Sequence, residues 1–216
     1  MQYVILDTET TGLTAMDEVI QFSCMYLDEN FRLKGLEDFY CMPTAEISAG
    51  AMAVHHLSLD KVRKLSGQKF FEEKFSAIQE KFGKDCTFIN YSSSMFDFRL
   101  INQTLMKARM PEFDFGAKIL ALNDNASGFF KYDLMSGIAR LKGIHGGKIK
   151  LERAVKLVPG YNEQDLRIKY MNLCKMLESK GLATKADTEN MFHNARFDTF
   201  CMWYLLNEFG RDLKVM

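Results

Sequence analysis

The chain opens with MQYVILDTETTGLT, which sets two carboxylates, Asp7 and Glu9, directly after the apolar run Tyr3–Leu6. Two carboxylates this close repel each other, and a fold tolerates the pair only where water or a cation disperses the charge. Side chains two residues apart on an extended strand point to the same face. The opening therefore predicts a short buried strand over residues 2–7 that ends in paired carboxylates.

Three interpretations of these carboxylates are open on residue types alone. The first is a solvated turn, because Asp, Thr and Gly are common turn formers. The second is a calcium loop, since D-x-E-x-T-G-x5-E fits residues 7–18 onto the EF-hand template. That template follows a helix and prefers Asp or Asn where Glu9 and Thr11 stand, so the sequence context argues against it. The third is half of a site for Mg²⁺ or Mn²⁺, which favour oxygen ligands.

Composition limits the partners of the chain. Its 216 residues are 47% apolar and 26% charged, which is typical of a globular domain with a sizeable core. The 28 basic and 28 acidic residues give a formal net charge of zero, so a polyanion must bind through local patches or bound cations. Five scattered cysteines without C-x-x-C spacing indicate reduced, buried thiols. With no visible secretory signal and no apolar run of membrane length, we expect a cytoplasmic protein without membrane contact.

The order of strands and helices predicts an α/β or α+β domain with a mixed β-sheet. Strands are predicted where β-branched and aromatic residues cluster, over residues 2–7, 18–27, 31–41 and 86–91. Helices are predicted from helical spacing and cap residues, over residues 49–82, 95–108, 132–141, 162–180 and 195–208. Residues 115–122 are predicted as a short strand or helix, and the segment 143–160 is rich in glycine and basic residues.

A metal site that cleaves phosphodiesters needs further carboxylates and a base. The tail FHNARFDTFCMWYLL supplies His193 and Asp198, spaced H-x4-D. On one ideal helix these two residues would lie about 140° apart and would not share a face. Asn194 suits an N-cap, however, so His193 is predicted on the loop before the helix and Asp198 in its second turn. The middle of the chain offers Asp97, at the start of a helix that follows a strand.

Three motifs resemble, in order, those of the DEDDh 3′–5′ exonucleases: DTETTG at residues 7–12, Phe96-Asp97, and His193-x4-Asp198. This is the DnaQ-like family of proofreading exonucleases, such as the DNA polymerase III epsilon subunit, within the ribonuclease H-like superfamily. The resemblance spans nearly the whole chain. It implies an α/β fold of the ribonuclease H-like type, with a mixed β-sheet flanked by α-helices.

The second motif departs from the family pattern, which reads like HNAxFD. This chain has SSSMFD at residues 92–97, and HNARFD occurs at the tail instead. Too little chain follows the tail sequence for a third motif beyond it. Asp97 is therefore the preferred acid of the second motif, with Asp114 and Asp133 as alternatives that also follow an aromatic residue.

The rest of the chain shows one more departure from the family and one more likeness. The long gap between the second and third motifs predicts a helical insertion before the last helix, at approximately residues 144–190. The insertion would lie within a single exonuclease domain that covers residues 1–216. The stretch ISAGAMAVHHLSLDKV resembles the family's A-x-x-x-H-G-I-T segment and sets His55 at its histidine.

The resemblance implies a hydrolysis of the terminal phosphodiester that uses two Mg²⁺ or Mn²⁺ ions. Asp7 would bridge the two ions, and Asp97 would bind the second. Glu9 and Asp198 would hold the ion that carries the attacking water. His193 would take a proton from that water as a general base, and a nucleoside 5′-monophosphate would be released.

The resemblance also implies contacts with the nucleic acid. The 3′-terminal nucleotide would be contacted by Thr10, Thr11 and Leu13. His55 would approach a phosphate, with a capping or core histidine as the alternative. The segment 143–160 holds four basic residues that would guide a strand unless they form a solvated surface: Lys148, Lys150, Arg153 and Lys156.

The sequence thus favours a metal-dependent exonuclease that acts on the 3′ ends of single-stranded DNA, with a DNA polymerase subunit as an expected partner. A 3′–5′ exoribonuclease of the same family is the nearest alternative, because nothing in the sequence reads the sugar 2′-hydroxyl. A catalytically silent nucleic-acid-binding or scaffold module with the exonuclease fold is the alternative from another class.

Overall fold

The computed structural model describes residues 2–82, 86–91, 96–113, 133–180 and 191–213. Within these ranges one mixed sheet contains β1 (Gln2–Thr10), β2 (Val19–Leu27), β3 (Leu33–Tyr40) and β4 (Cys86–Ile89). The strand order is β3-β2-β1-β4, with β1 antiparallel to β2 and parallel to β4. The predicted mixed sheet is confirmed, and β1 lies inside it with a neighbour on each side.

Helices pack on both sides of this sheet. They are α1 (Ala49–His55), α2 (Leu59–Ser66), α3 (Phe71–Phe75), α4 (Phe96–Lys107), α5 (Leu134–Leu141), α6 (Leu151–Val155), α7 (Glu163–Ser179) and α8 (Ala195–Phe209). The predicted helical region 49–82 is divided into separate helices. His56 and Gly67 end α1 and α2 in the left-handed conformation, with φ of 57° and 63°. A 3₁₀ turn, Gln79–Lys81, follows α3.

Alternate residues of β1 point to opposite sides of the sheet, and each side has its own core. Tyr3 and Ile5 belong to the core formed with α5, α6, α7 and α8. Val4 and Leu6 belong to the core formed with α3 and α4. Asp7 and Glu9 follow Tyr3 and Ile5 in this alternation, since the bulge in β1 comes only after Glu9.

The structure corrects the predicted end of the first strand. β1 runs to Thr10, so Asp7 and Glu9 lie inside a strand instead of at its end. Pairing with β2 continues to Thr10 after a bulge between Glu9 and Thr10. Among the strands described, pairing with β4 stops at Ile5 and Ile89. The second half of β1 is therefore held by β2 and by side chains.

The predicted insertion at residues 144–190 is described up to residue 180. That part carries α6 and α7, whose buried side chains join the same core as α8. The insertion and the single domain over residues 1–216 stay predictions. The element predicted at 115–122 lies outside the described residues.

The five cysteines are free and buried, as the sequence predicted. In the part of the chain that the structure describes, no helix has both the length and the apolar character needed to cross a bilayer. The cytoplasmic location stays a prediction.

Candidate active site

Asp7 and Glu9 lie on the side of β1 that α8 covers. They continue the alternation of Ile5, whose side chain packs on that side. Ser23 lies opposite Asp7 on β2, and its hydroxyl is 3.1 Å from the Thr199 hydroxyl of α8. These two small polar side chains let α8 lie close to the sheet beneath the carboxylates.

The start of α8 directs Asp198 toward the same face. Asn194 caps the helix, and its side-chain oxygen accepts a hydrogen bond from the Phe197 amide at 3.4 Å. His193 lies on the preceding loop in a left-handed conformation, with φ of 61°. Its backbone N–H donates to Asp198 Oδ2 at 3.1 Å. The predicted cap and the predicted loop position of His193 are both present.

Three carboxylates from the two ends of the chain converge. Asp7, Glu9 and Asp198 each offer one oxygen, and these oxygens lie within 4.8 Å of one another. Burial, and then the charges of the neighbouring acids, raise the pKa of Asp7 and Glu9 well above its usual range. Burial raises the pKa of Asp198 to about 8. The fold therefore keeps together three groups that resist being ionised at the same time.

This acid cluster, Asp7, Glu9 and Asp198, fits a hard divalent cation. Its donors are carboxylate oxygens, the ligand type that Mg²⁺ and Mn²⁺ prefer. Within the described ranges, the buried Asp198 Oδ1 has no hydrogen-bond partner. A cation would satisfy that oxygen and offset the repulsion among the three acids.

Asp97 approaches the cluster from another direction. It lies in the first turn of α4 and is 5% exposed. Its Oδ1 accepts hydrogen bonds from the Thr8 backbone N–H at 3.1 Å and from the Thr8 hydroxyl at 2.8 Å. Since β1 has passed the end of its pairing with β4 here, the carboxylate satisfies the N–H in place of a strand.

The charge of Asp97 nevertheless reaches the cluster. It helps to raise the pKa of Asp7 and Glu9, and burial raises its own pKa to about 6. Asp97 is not among the three acids whose oxygens lie within 4.8 Å of one another. The structure thus brings together three of the four predicted metal ligands and places the fourth beside them.

Asp133, an alternative acid for the second motif, stabilises the start of a helix. It is the N-cap of α5, and its Oδ1 accepts hydrogen bonds from the amides of Met135 at 3.1 Å and Ser136 at 3.4 Å. Asp114 lies outside the described residues. Of the two acids that can be compared, Asp97 is the one whose charge acts on the cluster.

The His193 side chain is exposed at the edge of the cluster. Partial burial of the ring and the nearby charge of Lys150 lower its pKa, while Glu152 opposes them. A lowered pKa keeps the imidazole neutral near pH 7, the form that accepts a proton. With Asp198, the ring lines a cavity of about 500 Å³.

A small cavity of about 260 Å³ is lined by Glu9 of the acid cluster. It is lined by the end of β1, the loop after it, α1 and the start of α4. Three of the residues predicted to bind substrate line it: Thr10, Leu13 and His55. Leu13 is 75% exposed, so a ligand in this cavity would contact its side chain directly.

His55 is held inside the fold. It is 4% exposed, its Nδ1 accepts a hydrogen bond from the Leu57 N–H at 3.0 Å, and its Nε2 lies 3.2 Å from the Thr10 carbonyl. Because Nδ1 is an acceptor, the neutral ring carries its proton on Nε2 and donates it to Thr10. Burial lowers its pKa. Both ring nitrogens are engaged, which favours the capping role over the predicted approach to a phosphate.

The loop that follows β1 is built around Asp17. This carboxylate accepts hydrogen bonds from the Thr11 hydroxyl at 2.8 Å, the Thr14 amide at 2.6 Å and the Thr14 hydroxyl at 2.7 Å. Gly12 lies so close that a Cβ there would stand 2.7 Å from Asp17 Oδ1. Thr11 is fully buried. Its hydroxyl donates to Asp17 and accepts from the Glu18 amide, and Thr11 is not among the residues that line the small cavity, so its contact with the nucleotide stays a prediction.

Glu18 completes the loop and excludes the calcium alternative. It accepts a hydrogen bond from the Thr44 amide at 2.6 Å and pairs with Lys107 at 2.8 Å. Burial alone would raise the pKa of Glu18, but the bonds from Lys107 and Thr44 lower it. An EF-hand uses a glutamate at this position to hold the ion and places a helix before the loop, where this chain has β1.

A buried polar network that the sequence analysis missed positions α8. Arg196 is 3% exposed and forms an ion pair with Asp38 of β3. Gln21 of β2 donates to Asp38 at 3.1 Å and accepts from the first amide of α8 at 3.2 Å. Gln21 also lies opposite Glu9 in the sheet. An arginine at the start of an apolar helix was the sequence signal for this network, which fixes the turn that carries Asp198.

Strand β1 of the mixed sheet and α8 bring three carboxylates together, and such a set of oxygen donors is suited to a divalent metal ion. The sequence profile of the RNase_T exonuclease family matches residues 4–135. The chain belongs to this exonuclease family. The matched region contains Asp7, Glu9 and Asp97, and the third motif lies beyond it.

Two proteins that this chain is similar to are much longer than it is. The chain is 28% identical over 106 residues to the PolC-type DNA polymerase III of Ureaplasma parvum serovar 3, a stretch that covers 49% of this chain and 7% of the polymerase. The fold is similar to that of E. coli exonuclease I in its zinc-bound complex with single-stranded DNA, with a TM-score of 0.60 and 15% identity. The fold is also similar to that of E. coli exonuclease I in complex with a dT13 oligonucleotide, with a TM-score of 0.59 and 15% identity.

These structural matches cover 98% and 99% of this chain but 40% and 42% of exonuclease I. The chain therefore spans less than half of the proteins it resembles in structure. The likeness includes the α8 region that the family profile does not reach, and it confirms the predicted fold, a mixed sheet flanked by helices.

Proposed function

We propose that this protein is a 3′–5′ exonuclease that depends on divalent metal ions and releases nucleoside 5′-monophosphates from the 3′ ends of single-stranded DNA. The convergence of Asp7, Glu9 and Asp198 within 4.8 Å, in a chain of the RNase_T exonuclease family, carries the proposal. A module that only bound nucleic acid would have no use for three crowded acids that destabilise the metal-free fold.

Two Mg²⁺ or Mn²⁺ ions are the proposed cofactor. Asp7 would contact both ions, with Glu9 and Asp198 holding one of them and Asp97 the other. When bound, the ions supply charge neutralisation at the phosphodiester and increase the acidity of a water. The protein contributes by holding Asp7 and Glu9 on a strand, which is more rigid than a loop.

His193 is the proposed general base. Its exposed ring stands next to Asp198, and its lowered pKa leaves the imidazole free to accept a proton from the attacking water. The hydrogen bond from its backbone N–H to Asp198 ties the position of the ring to the cluster. His193→Ala should bind metal as the wild type does, while kcat falls by about 10²–10⁴-fold.

Single-stranded DNA is the proposed substrate because the small cavity can hold one unpaired nucleoside, with Thr10 and Leu13 as its contacts. The preference for DNA rests on the similarity to E. coli exonuclease I, whose structures contain single-stranded DNA, and to a PolC-type polymerase. The latter similarity also motivates a DNA polymerase as the partner of this chain, which stays a prediction.

The direct test incubates the purified protein with end-labelled single-stranded DNA and RNA, in Mn²⁺ and in EDTA. We expect stepwise shortening of the DNA from its 3′ end and release of nucleoside 5′-monophosphates in Mn²⁺ only. Asp7→Ala, purified in the same way, controls for contaminating nucleases. Faster cleavage of RNA would transfer the assignment to the exoribonuclease, and cleavage of neither substrate would favour the catalytically silent module.

A further inference from the structure

We propose that Gln21 and Ser23 of β2 are positioning residues for the acid cluster. Their buried side chains tie α8 to the sheet and so keep Asp198 beside the two acids of β1 before a metal ion binds. This inference rests on the proposed function, because it concerns the metal affinity of the same site. It gives β2 a part in a reaction whose proposed metal ligands lie on β1, α4 and α8.

The acids of the cluster act against the contact between β1 and α8. Burial, and then repulsion from neighbouring acids that include Asp198, raise the pKa of Asp7 and Glu9 well above its usual range. Since Asp198 is the acid that α8 contributes, this repulsion favours separation of α8 from the sheet whenever the acids are ionised. Other contacts must therefore hold α8 in place until a cation neutralises the cluster.

Gln21 provides such a contact next to Glu9. The two residues lie opposite each other in the pairing of β1 with β2, so their side chains share one face of the sheet. Gln21 is fully buried, and its Oε1 accepts a hydrogen bond from the Ala195 N–H at 3.2 Å. Ala195 is the first residue of α8, where a helix cannot satisfy its own amides. Gln21 therefore binds the backbone of α8 directly.

The side-chain amide of Gln21 is held in one orientation. Its Nε2 donates to Asp38 Oδ1 at 3.1 Å and to Asn194 Oδ1 at 3.4 Å. Because the Ala195 N–H can only donate, the amide oxygen of Gln21 must face α8. Asn194 is the N-cap of α8. Gln21 thus contacts both the cap and the first residue of the helix that carries Asp198.

Ser23 forms a second contact with α8, at a residue beyond Asp198. It lies opposite Asp7, and its hydroxyl is 3.1 Å from the Thr199 hydroxyl. The Thr199 hydroxyl donates its own proton to a backbone carbonyl of α8 at 2.9 Å, so Ser23 is the donor between the two hydroxyls. With the contact of Gln21 before Asp198 and that of Ser23 after it, β2 holds this turn of α8 from both ends.

Gln21→Met tests the inference, because methionine has a similar length and lacks the amide. Its Kd for Mn²⁺, measured by isothermal titration calorimetry, should rise by about 10–100-fold, the usual effect of losing a contact that orients metal ligands. Raising Mn²⁺ should restore much of the DNA cleavage that this variant loses at low Mn²⁺, since bound cations offset the repulsion among the acids. In EDTA, hydrogen exchange of the backbone amides of residues 195–198 should become faster.

Two further variants complete the test. Ile78 is buried in the core on the opposite side of the sheet, so Ile78→Ala lowers stability through a cavity there. This control should keep the Kd of the wild type for Mn²⁺. Ser23→Ala removes one neutral hydrogen bond between side chains and should raise that Kd by about threefold. Its small change in volume makes it the variant that decides if Gln21→Met does not fold.

Equal Kd values for Mn²⁺ in Gln21→Met and Ile78→Ala would overturn the inference, and so would equal exchange rates of the amides of residues 195–198. Without a folded Gln21→Met, an unchanged Kd in Ser23→Ala would overturn it. The proposed function fails separately. A wild type that binds Mn²⁺ and cleaves no DNA would contradict the exonuclease assignment, while the Kd values of the variants would still support or overturn the role of β2.

Discussion

Strand β1 and the loop that follows it each carry a pair of acidic residues, and the surroundings of the two pairs are opposite. Asp17 and Glu18 receive hydrogen bonds from threonines and a charge from Lys107, which lower the pKa of both despite burial. Asp7 and Glu9 face other acids, and burial with this repulsion raises the pKa of both. The loop pair is stable as ionised side chains without any added ligand.

This difference distinguishes acids that stabilise the fold by themselves from acids that stabilise it only when a cation is bound. A carboxylate with its full set of donors contributes stability, and a metal would have to displace those donors to bind it. A carboxylate crowded by others lowers stability until a cation neutralises the group. The spacing of the four acids in the sequence does not predict these different roles, because both pairs lie in one short stretch that also fits a calcium-loop template.

The largest effect on activity should appear when one acid of each pair is replaced by its amide and the two variants are compared. Asp7→Asn should reduce the rate of DNA cleavage by about 10³-fold or more, because it removes a ligand from a metal site worth several kcal/mol. Asp17→Asn should keep Mn²⁺ binding and lose stability instead. Cleavage rates and calorimetric titration with Mn²⁺ measure both. If the Asp7→Asn protein cleaved DNA as fast as the Asp17→Asn protein, the assignment of different roles to the two pairs of acids would be wrong.

Asp97 combines features of the two pairs, since Thr8 donates to it while burial raises its pKa to about 6. Asp97→Ala should lower cleavage by about 10²-fold or more through loss of the second metal position. Circular dichroism should show an unchanged fold. Full activity in this variant would return the second-motif role to Asp114, which lies outside the described residues.

The network behind the cluster should give the largest effect on stability. Arg196→Met leaves Asp38 buried and unpaired, which should lower the free energy of unfolding by about 3–5 kcal/mol. The double variant Arg196→Met/Asp38→Leu removes both charges and should recover most of that loss. Urea denaturation measures the three proteins. Equal stability of the single and double variants would show that the ion pair does not hold α8.

The loop pair should give a smaller effect that depends on pH. Glu18→Gln should lower the free energy of unfolding by about 1–3 kcal/mol at neutral pH, since it weakens the bonds from Thr44 and Lys107. Folding lowers the pKa of Glu18, so its contribution is full above its unfolded pKa of about 4.3 and is lost as pH falls below it. Urea denaturation across this range should show the gap closing in acid. A gap that widens in acid would contradict the lowered pKa.

A substitution in the acid cluster should give the smallest change in the free energy of unfolding. In EDTA it should increase that free energy, whereas the substitutions of Arg196 and Glu18 decrease it. In EDTA, Asp198→Asn should raise the free energy of unfolding by about 1 kcal/mol, because it removes a carboxyl group that must take up a proton or repel its neighbours when the chain folds. In Mg²⁺ the wild type should become the more stable protein, since an ion that binds only the folded state stabilises it. Thermal melts in the two buffers measure both signs. The same order of stability in both buffers would argue against a cation at the cluster.

Local patterns in the sequence predicted much of the fold and the positions of several residues of the site. The apolar run before Asp7 predicted the strand, and the i, i+2 spacing predicted the shared face of Asp7 and Glu9. Asn194 predicted the start of α8, and with it the different positions of His193 and Asp198. Each of these predictions depends on residues within a few positions of one another, where propensity and capping decide the structure.

The parts that sequence reasoning missed depend on contacts between distant segments. β1 extends past residue 7 because β2 pairs with it as far as Thr10. Local sequence left two interpretations of His55 open, a phosphate contact and a capping histidine, and its ring donates to the Thr10 carbonyl, 45 positions away. The pairing of Arg196 with Asp38 joins α8 to β3 across the sheet. No local periodicity encodes which buried polar groups will find each other.

The central claim is that Asp7, Glu9 and Asp198 hold a divalent cation. A crystal soaked in Mn²⁺ and examined by anomalous diffraction tests it most directly. The account predicts an anomalous peak about 2 Å from a carboxylate oxygen of each of these three residues. A peak at the loop of Asp17 and Glu18, or no peak between β1 and α8, would contradict it.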